Sequence, residues 1–292
     1  MTLYRSDELK SIKQIKNRFV LGRTGVYSIF ILFTLFTTYP LFWLGYSSLK
    51  TNAEIQNNPL SFAAIPQWSN FVTAWEVGQI GTGYINSVIY LVTTLVIVIM
   101  SAMMASYVFA KSPFKRLTKV LKSAVGLGIL ISTHSVMIPL FLMLKTVGLT
   151  GSNARLGIIL TYSAVGMPMA VFIATDFIKG LPDSLVESAE IDGAGRFQTF
   201  FSIILPMTKP IMATMAIITA LGTWNEFLLG FILSNRYTKA LPPTIIAFAN
   251  PRTPNYHLQM AGLVISIVPM IVLYAFFNKS ITKGVVGGAI KG

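Results

Sequence analysis

Long stretches without any charged residue dominate this sequence. Thr24–Leu49, Val77–Ala110, Ser123–Leu144, Leu156–Thr175 and Thr253–Asn278 carry none, and Pro210–Asn235 carries only Glu226. A bilayer core takes about 20 apolar residues of helix to cross, and each window supplies that. The chain is 53% hydrophobic and 11% charged, whereas a soluble domain carries about 25% charged residues. It cannot cover itself with polar surface in water. The fold class expected is an all-α polytopic membrane protein. Its six transmembrane helices are expected over about 26–48, 84–110, 123–144, 156–177, 208–234 and 260–279. Residues 1–23 form an N-terminal segment and 24–292 the transmembrane domain. Pro40, Pro139, Pro168 and Pro269 lie inside the windows, where membrane helices tolerate proline and often bend. The first window is too long for a signal-peptide core and lacks a small-residue cleavage site, so it is expected to remain as a span.

The connecting segments alternate in charge. Segments 1–23, 111–122, 176–210 and 279–292 hold 17 of the 23 lysines and arginines. Segments 50–83, 145–155 and 236–258 hold the other 6. Basic residues accumulate on the cytoplasmic side of a membrane, so both termini and loop 176–210 are expected inside. The same distribution accounts for the net charge of +13 without a nucleic-acid partner. The outside loop 50–83 carries Pro59, Pro66, Trp68 and Trp75, and is read as an interface anchor or a short helix on the membrane. The outside loop 236–258, rich in proline and aromatics, either touches an external partner or caps the bundle.

The most polar long stretch of the second half is Leu181–Pro206, LPDSLVESAEIDGAGRFQTFFSIILP. Ser184 with Glu187 has the spacing of a capping box and predicts a helix start. Leu185, Val186 and Ala189 then share one face. Gly193 and Gly195 predict the helix end and a turn. Phe197, Phe200, Phe201 and Ile204 repeat at helical spacing, predicting a second amphipathic helix, and Pro206 and Pro210 open the next apolar segment. On periodicity alone the loop is two helices resting on headgroups or a docking surface.

Glu187-Ser188-Ala189, then three residues, Gly193, then nine residues, Ile203-x-Leu205-Pro206, resembles the EAA loop of ABC-importer permeases. That family signature is Glu-Ala-Ala, x3, Gly, x9, Ile-x-Leu-Pro, and only Ser188 departs from it. The likeness extends to Asn86-Ser87, Ala105-Ser-Tyr-Val-Phe-Ala-Lys111, Met137-Ile-Pro-Leu-Phe141, Gly222-Thr-Trp-Asn-Glu226 and the tail from Thr282 to Gly292. The chain thus resembles the carbohydrate-uptake branch of the binding-protein-dependent permeases, most of all the smaller subunit of maltose-type pairs. The resemblance implies a homologous second permease subunit, two cytoplasmic ATPase subunits and an extracytoplasmic solute-binding protein. It implies a carbohydrate substrate, an inner or plasma membrane of a bacterium or archaeon, and alternating access as the mechanism. It assigns ATPase coupling to Glu187, Ser188, Ala189, Asp192, Gly193, Ile203, Leu205 and Pro206. ATP and magnesium would sit on the partner ATPase, and this chain would bind no cofactor.

Chemistry within the chain is sparse. No Gly-Lys dipeptide occurs, so there is no Walker A loop. The two histidines, His134 and His257, lie far apart, and no G-x-S-x-G elbow is present. An enzyme acting alone is not expected. Glu226 is the notable exception, since an ionisable residue at membrane depth marks a functional site by default. At about 1.5 Å per residue it lies about 24 Å along a helix begun at Pro210. In a continuous helix it shares a face with Gly222 and Gly230, a stripe suited to close helix packing. Trp224, Asn225 and Glu226 are therefore candidates for the substrate path or the subunit interface. Two other readings remain: a secondary sugar transporter, which should show repeats and paired intramembrane charges, and a membrane assembly or sensor protein that transports nothing.

Overall fold

The computed structural model describes residues 2–249 and 253–289, with side chains described for residues 25–249, 253–272, 274 and 275. Among the described residues the regular structure is entirely helical, in keeping with the class expected from the apolar windows. The chain runs through α1 (Thr2–Ser47), α2 (Asn52–Asn57), α3 (Ser69–Val77), α4 (Ile80–Lys111), α5 (Lys115–Leu130), α6 (Met137–Thr146) and α7 (Ala154–Lys179). It continues through α8 (Ser184–Ile191), α9 (Arg196–Thr199), α10 (Leu205–Met207), α11 (Lys209–Asn225), α12 (Leu228–Leu233), α13 (Leu241–Ile245) and α14 (Tyr256–Ala289). Among the described residues three helices are long and apolar enough to cross a membrane: Gly25–Ser47 within α1, α4, and Gly151–Lys179, which is α7 with the turn before it. The segments Arg196–Met207 and Lys209–Asn225 qualify together but meet at 76°. Met137–Thr146 and Tyr256–Val272 are shorter apolar helices.

The window 123–144 is two helices. Helix α5 starts early, at Lys115, and stops at Leu130; α6 starts at Met137. Pro139 explains the restart. It falls in the first turn of α6, where a missing N–H leaves no hydrogen bond unmade.

Helices α4 and α7 form the centre. Val98, Ala102 and Met103 of α4 pack against Ala170, Val171, Ala174 and Ile178 of α7. The small alanines bring the two backbones close, as membrane helix pairs require when no hydrophobic effect drives them together. Thr175 Oγ1 donates to Ser106 Oγ at 3.1 Å, and Ser106 Oγ to the Val171 carbonyl at 3.1 Å. Such interhelical hydrogen bonds contribute about 0.6 kcal/mol each in membrane proteins.

A second cluster closes the other end of the bundle. Leu241, Ile245 and Phe248 are buried against Ala74, Ile80, Trp224, Leu258 and Ala261. The stretch 236–249 therefore folds inward and caps the helices. Asn86 fixes it there by donating to the carbonyls of Tyr237 and Lys239, each at 2.9 Å, and by accepting from Arg155 Nη2 at 3.0 Å. Ser87 Oγ accepts the Leu241 amide at 2.8 Å. In the loop 50–83, Trp68 and Trp75 are exposed beside two short helices, α2 and α3.

Candidate functional site

Helix α8 is short and closed at its C-terminus by a specific hydrogen-bond pattern. The Ala194 amide donates to the Ala189 carbonyl at 2.9 Å, and the Gly193 amide to the Glu190 carbonyl at 3.1 Å. This pair of bonds is the Schellman motif, which needs a left-handed residue just past the helix. Gly193 supplies it, with φ +78°. A Cβ built on Gly193 meets no atom within 4 Å, so the glycine is required by backbone shape rather than by crowding. Gly195, by contrast, has an ordinary extended conformation.

The faces of α8 are sorted as the spacing predicts. Ala189 is buried and Leu185 and Val186 half-buried, while Glu187, Ser188 and Asp192 are exposed. Val186 packs onto the α4–α7 core. The small Ala189 thus lets α8 lie close to its own chain, while Glu187 and Glu190 line a groove beside Tyr107 and Lys111 of α4. The N-terminus departs from the expectation. No capping box forms at Ser184 and Glu187: Ser184 is already inside the helix, and the cap position is Asp183, at φ −65° and ψ −30°, without a side-chain cap bond. An N-cap needs an extended backbone, which Asp183 lacks. Its carboxylate is also committed elsewhere, accepting from Lys111 Nζ at 2.6 Å. The hydrogen bond and charge of Lys111 hold the Asp183 carboxyl below the usual carboxylate range.

The second limb of the loop is one distorted helix. α9 passes into a widened π turn at Phe200–Ile204 and then α10. Pro206 lies just past that turn. A proline in a helix interior removes a hydrogen bond and collides with the preceding turn, and a π turn opens room at that place. Phe200 and Ile204 are buried in the α4–α7 core, Ile203 and Leu205 are half-buried, and Phe197, Phe201 and Pro206 are exposed. The amphipathic repeat is therefore only half used inside this chain. The ring of Phe200 lies 5.5 Å from that of Tyr107 on α4. Buried Thr208 then marks the 76° bend into α11, which starts with Pro210 in its first turn.

Glu226 is not inside a continuous helix. α11 ends at Asn225, and Glu226 is extended, at φ −70° and ψ 110°. Its Oε1 accepts the Leu229 amide at 2.9 Å, satisfying an orphan donor at the start of α12. The break takes Gly222 and Gly230 off any shared stripe. Gly230 packs inside the chain, where an added Cβ would come within 2.6 Å of Tyr162 Oη, while Gly222 faces open space. Trp224 is buried, edge-on to Tyr84 and bonded to the Ser266 carbonyl at 3.3 Å. Asn225 is exposed and bonds back to the Leu221 carbonyl at 2.9 Å. Of the three candidates Glu226 lines a cavity of about 240 Å³ between α7 and α11. Val165, Met169, Ile218 and Gly222 give it apolar walls, and Thr219, Thr223 and Glu226 add polar groups. Tyr162 also lines it and carries a buried hydroxyl with no hydrogen-bond partner among the described residues. Nothing in the sequence around Tyr162 distinguished it, and Lys111 stood out only as the end of the run from Ala105 that carries the family likeness. Among the described residues no cluster of side chains suited to a metal occurs.

Residues 97–287 match the family described as binding-protein-dependent transport system inner membrane component. The chain belongs to that family. This permease chain is 33% identical over 270 residues to the diacetylchitobiose uptake system permease protein of Streptomyces coelicolor, covering 91% of this chain and 88% of that one. It is 32% identical to the melibiose/raffinose/stachyose import permease protein of Bacillus subtilis, over 87% and 91% of the two chains. Among solved structures, a chain of a bacterial ABC transporter involved in the import of the acidic polysaccharide alginate superposes with a TM-score of 0.72 at 21% identity, covering 87% of this permease and 95% of that chain. A second structure of an alginate ABC transporter, in complex with an alginate pentasaccharide-bound periplasmic protein, gives a TM-score of 0.67 at 21% identity.

Proposed function

We propose that this permease subunit imports an oligosaccharide as one half of a heterodimeric, six-span-per-subunit path, driven by two cytoplasmic ATPases and fed by an extracytoplasmic solute-binding protein. The sugar relatives and the alginate transporters support the substrate class. The 17-to-6 division of basic residues supports cytoplasmic termini and a cytoplasmic loop 181–206. The observation that carries the coupling role is the build of α8. It is a Schellman-closed helix whose apolar face is seated on the α4–α7 core, whose Ser188 and Asp192 are exposed, and whose exposed Glu187 lines a groove beside Tyr107 and Lys111 of α4. A lever needs both a firm seat and a free face.

In this reading ATP closes the two ATPases and draws the docked loops of the two permease subunits together. The seat of α8 on α4 and α7 passes that movement to the helices that wall the cavity. Glu226 and the Tyr162 hydroxyl offer an acceptor and a donor there, suited to sugar hydroxyls. ATP and magnesium belong to the ATPases. Two experiments together test the reading. One is co-purification of the ATPase with this subunit, and the other is cross-linking from a cysteine at Ser188. The chain has no native cysteine, so the label is unique. A cross-link to the ATPase is expected. Copurification without any cross-link from Ser188 would move the dock elsewhere, and no ATPase at all would favour the secondary-transporter reading.

A further inference from the structure

One ammonium group grips the connection between α7 and α8 on both sides of Pro182. Lys111 Nζ, at the last residue of α4, donates to the Leu181 carbonyl at 2.7 Å and to Asp183 Oδ1 at 2.6 Å. The lysine side chain is only 7% exposed, while Asp183 is 79% exposed. A charge withdrawn from water must find such partners or it becomes costly. The position also suits a cation, because the C-terminal end of a helix carries partial negative charge.

The bond is directional in a way the surrounding contacts are not. Val186 of α8 meets the core through apolar surface, and Tyr107, one turn before Lys111, meets Phe200 through ring contact. Apolar surfaces can slide over one another with little change in buried area. Two charge-assisted hydrogen bonds to a backbone carbonyl and a carboxylate fix distance and angle. The grip displaces Asp183 from a capping role, so α8 gains its anchor to α4 in place of a cap bond. The other ion pair nearby, Lys122 with Asp176 at 2.6 Å, joins α5 to α7 and does not reach α8.

We infer that Lys111 is a positioning residue that makes the second span move with the coupling helix. Pull on α8 reaches α4 through this grip, and α4 carries it along its length to the far cluster around Ile80. The inference rests on the proposed docking of the ATPase on α8.

The test uses the assembled transporter in proteoliposomes, with a cysteine at Gly222, which faces open space beside the cavity. The readout is the change in thiol labelling rate that ATP with vanadate produces, measured beside the basal rate of ATP hydrolysis. Lys111→Met is expected to shrink that change about tenfold, within the range common for coupling between sites, with assembly and basal hydrolysis intact. Lys111→Arg, which keeps charge and donors, is expected to restore most of it. Asp183→Asn leaves the Leu181 carbonyl in place and should cost about threefold, as for an exposed partner of an ion pair. A normal response in Lys111→Met, or equal loss in Lys111→Met and Lys111→Arg, overturns the inference. If Lys111→Met fails to assemble, the exposed Asp183→Asn decides, and an unchanged response there overturns it. If Glu187→Lys also leaves the response and the ATPase attachment untouched, the docking reading fails instead.

Discussion

Ala194 and Ala189 are joined by a backbone hydrogen bond of 2.9 Å that spans Gly193 at φ +78°. That bond gives the glycine of the loop motif a physical reason. A side chain at Gly193 would meet nothing, yet an L-residue in the left-handed region costs about 1–2 kcal/mol. Asparagine tolerates that region best after glycine. Gly193→Asn is therefore expected to keep most transport activity, and Gly193→Ala to lose more, with weaker attachment of the ATPase. Uptake assays beside co-purification check the ranking. Equal, complete loss in both would mean that the partner approaches Gly193 too closely for any side chain.

Topology gives a second expectation. Ser184 is exposed at the start of α8, so a cysteine there is open to reagents on its own side of the membrane. Impermeant thiol reagent should label it in inside-out vesicles and not in intact cells. Labelling from outside would reverse the orientation read from the basic residues.

Which parts of this arrangement were legible in the sequence follows from how local their causes are. The apolar windows state the helical class because every window is long enough for a bilayer crossing. The end of α8 was legible because a Schellman turn is encoded by one glycine. Its start at Ser184 was legible too, but its cap was not, because Asp183 holds the cap position in helical backbone with its carboxylate drawn off by Lys111, 72 positions earlier in the chain. The same signature succeeds at the start of α2. Thr51 and Glu54 form a complete capping box, since no distant cation competes for either side chain. The break at Glu226 was equally hidden. Trp-Asn-Glu-Phe contains no glycine or proline to announce it, and the carboxylate that replaces the lost helix bond is visible only once α12 is in place.

Glu226 offers a third test. Its carboxylate accepts the Leu229 amide, and glutamine retains an oxygen that can do the same. Glu226→Gln is expected to fold and assemble like the unsubstituted subunit, with slower sugar uptake if the charge serves the path. Glu226→Ala removes the acceptor as well and should lower thermal stability by about 1 kcal/mol, the usual worth of a lost cap. A thermal shift assay on the purified complex separates the two. Equal stability of the two variants would show that the bond to Leu229 contributes nothing.

The last expectation concerns the loop 50–83 and its response to acid. Glu54 Oε2 accepts the Thr51 amide at 2.8 Å, and Oε1 accepts the Ala64 amide at 3.0 Å. These bonds, led by the one from Thr51 and then by that from Ala64, with the Thr51 hydroxyl and the Lys50 charge beside them, hold its carboxyl below the ordinary 4.5. Lys50, fully buried, meanwhile donates to the carbonyls of Asn58 at 2.7 Å and Pro59 at 3.2 Å. One carboxylate and one ammonium thus fold 58–64 back onto α2 and the end of α1. A carboxyl whose value is depressed in the folded loop contributes its full share above the unfolded value, and loses it as the pH falls through the lower folded value. Hydrogen exchange at the Ala64 amide should accordingly show undiminished protection from pH 8 to pH 5, after correction for intrinsic rates. Protection should fall only at pH below the ordinary 4.5. Glu54→Gln, which keeps the acceptor geometry without the charge, should lower protection at neutral pH to the level the unsubstituted loop reaches in acid, and abolish its acid dependence. Protection that already declined between pH 7 and pH 5 would mean that another group holds the loop.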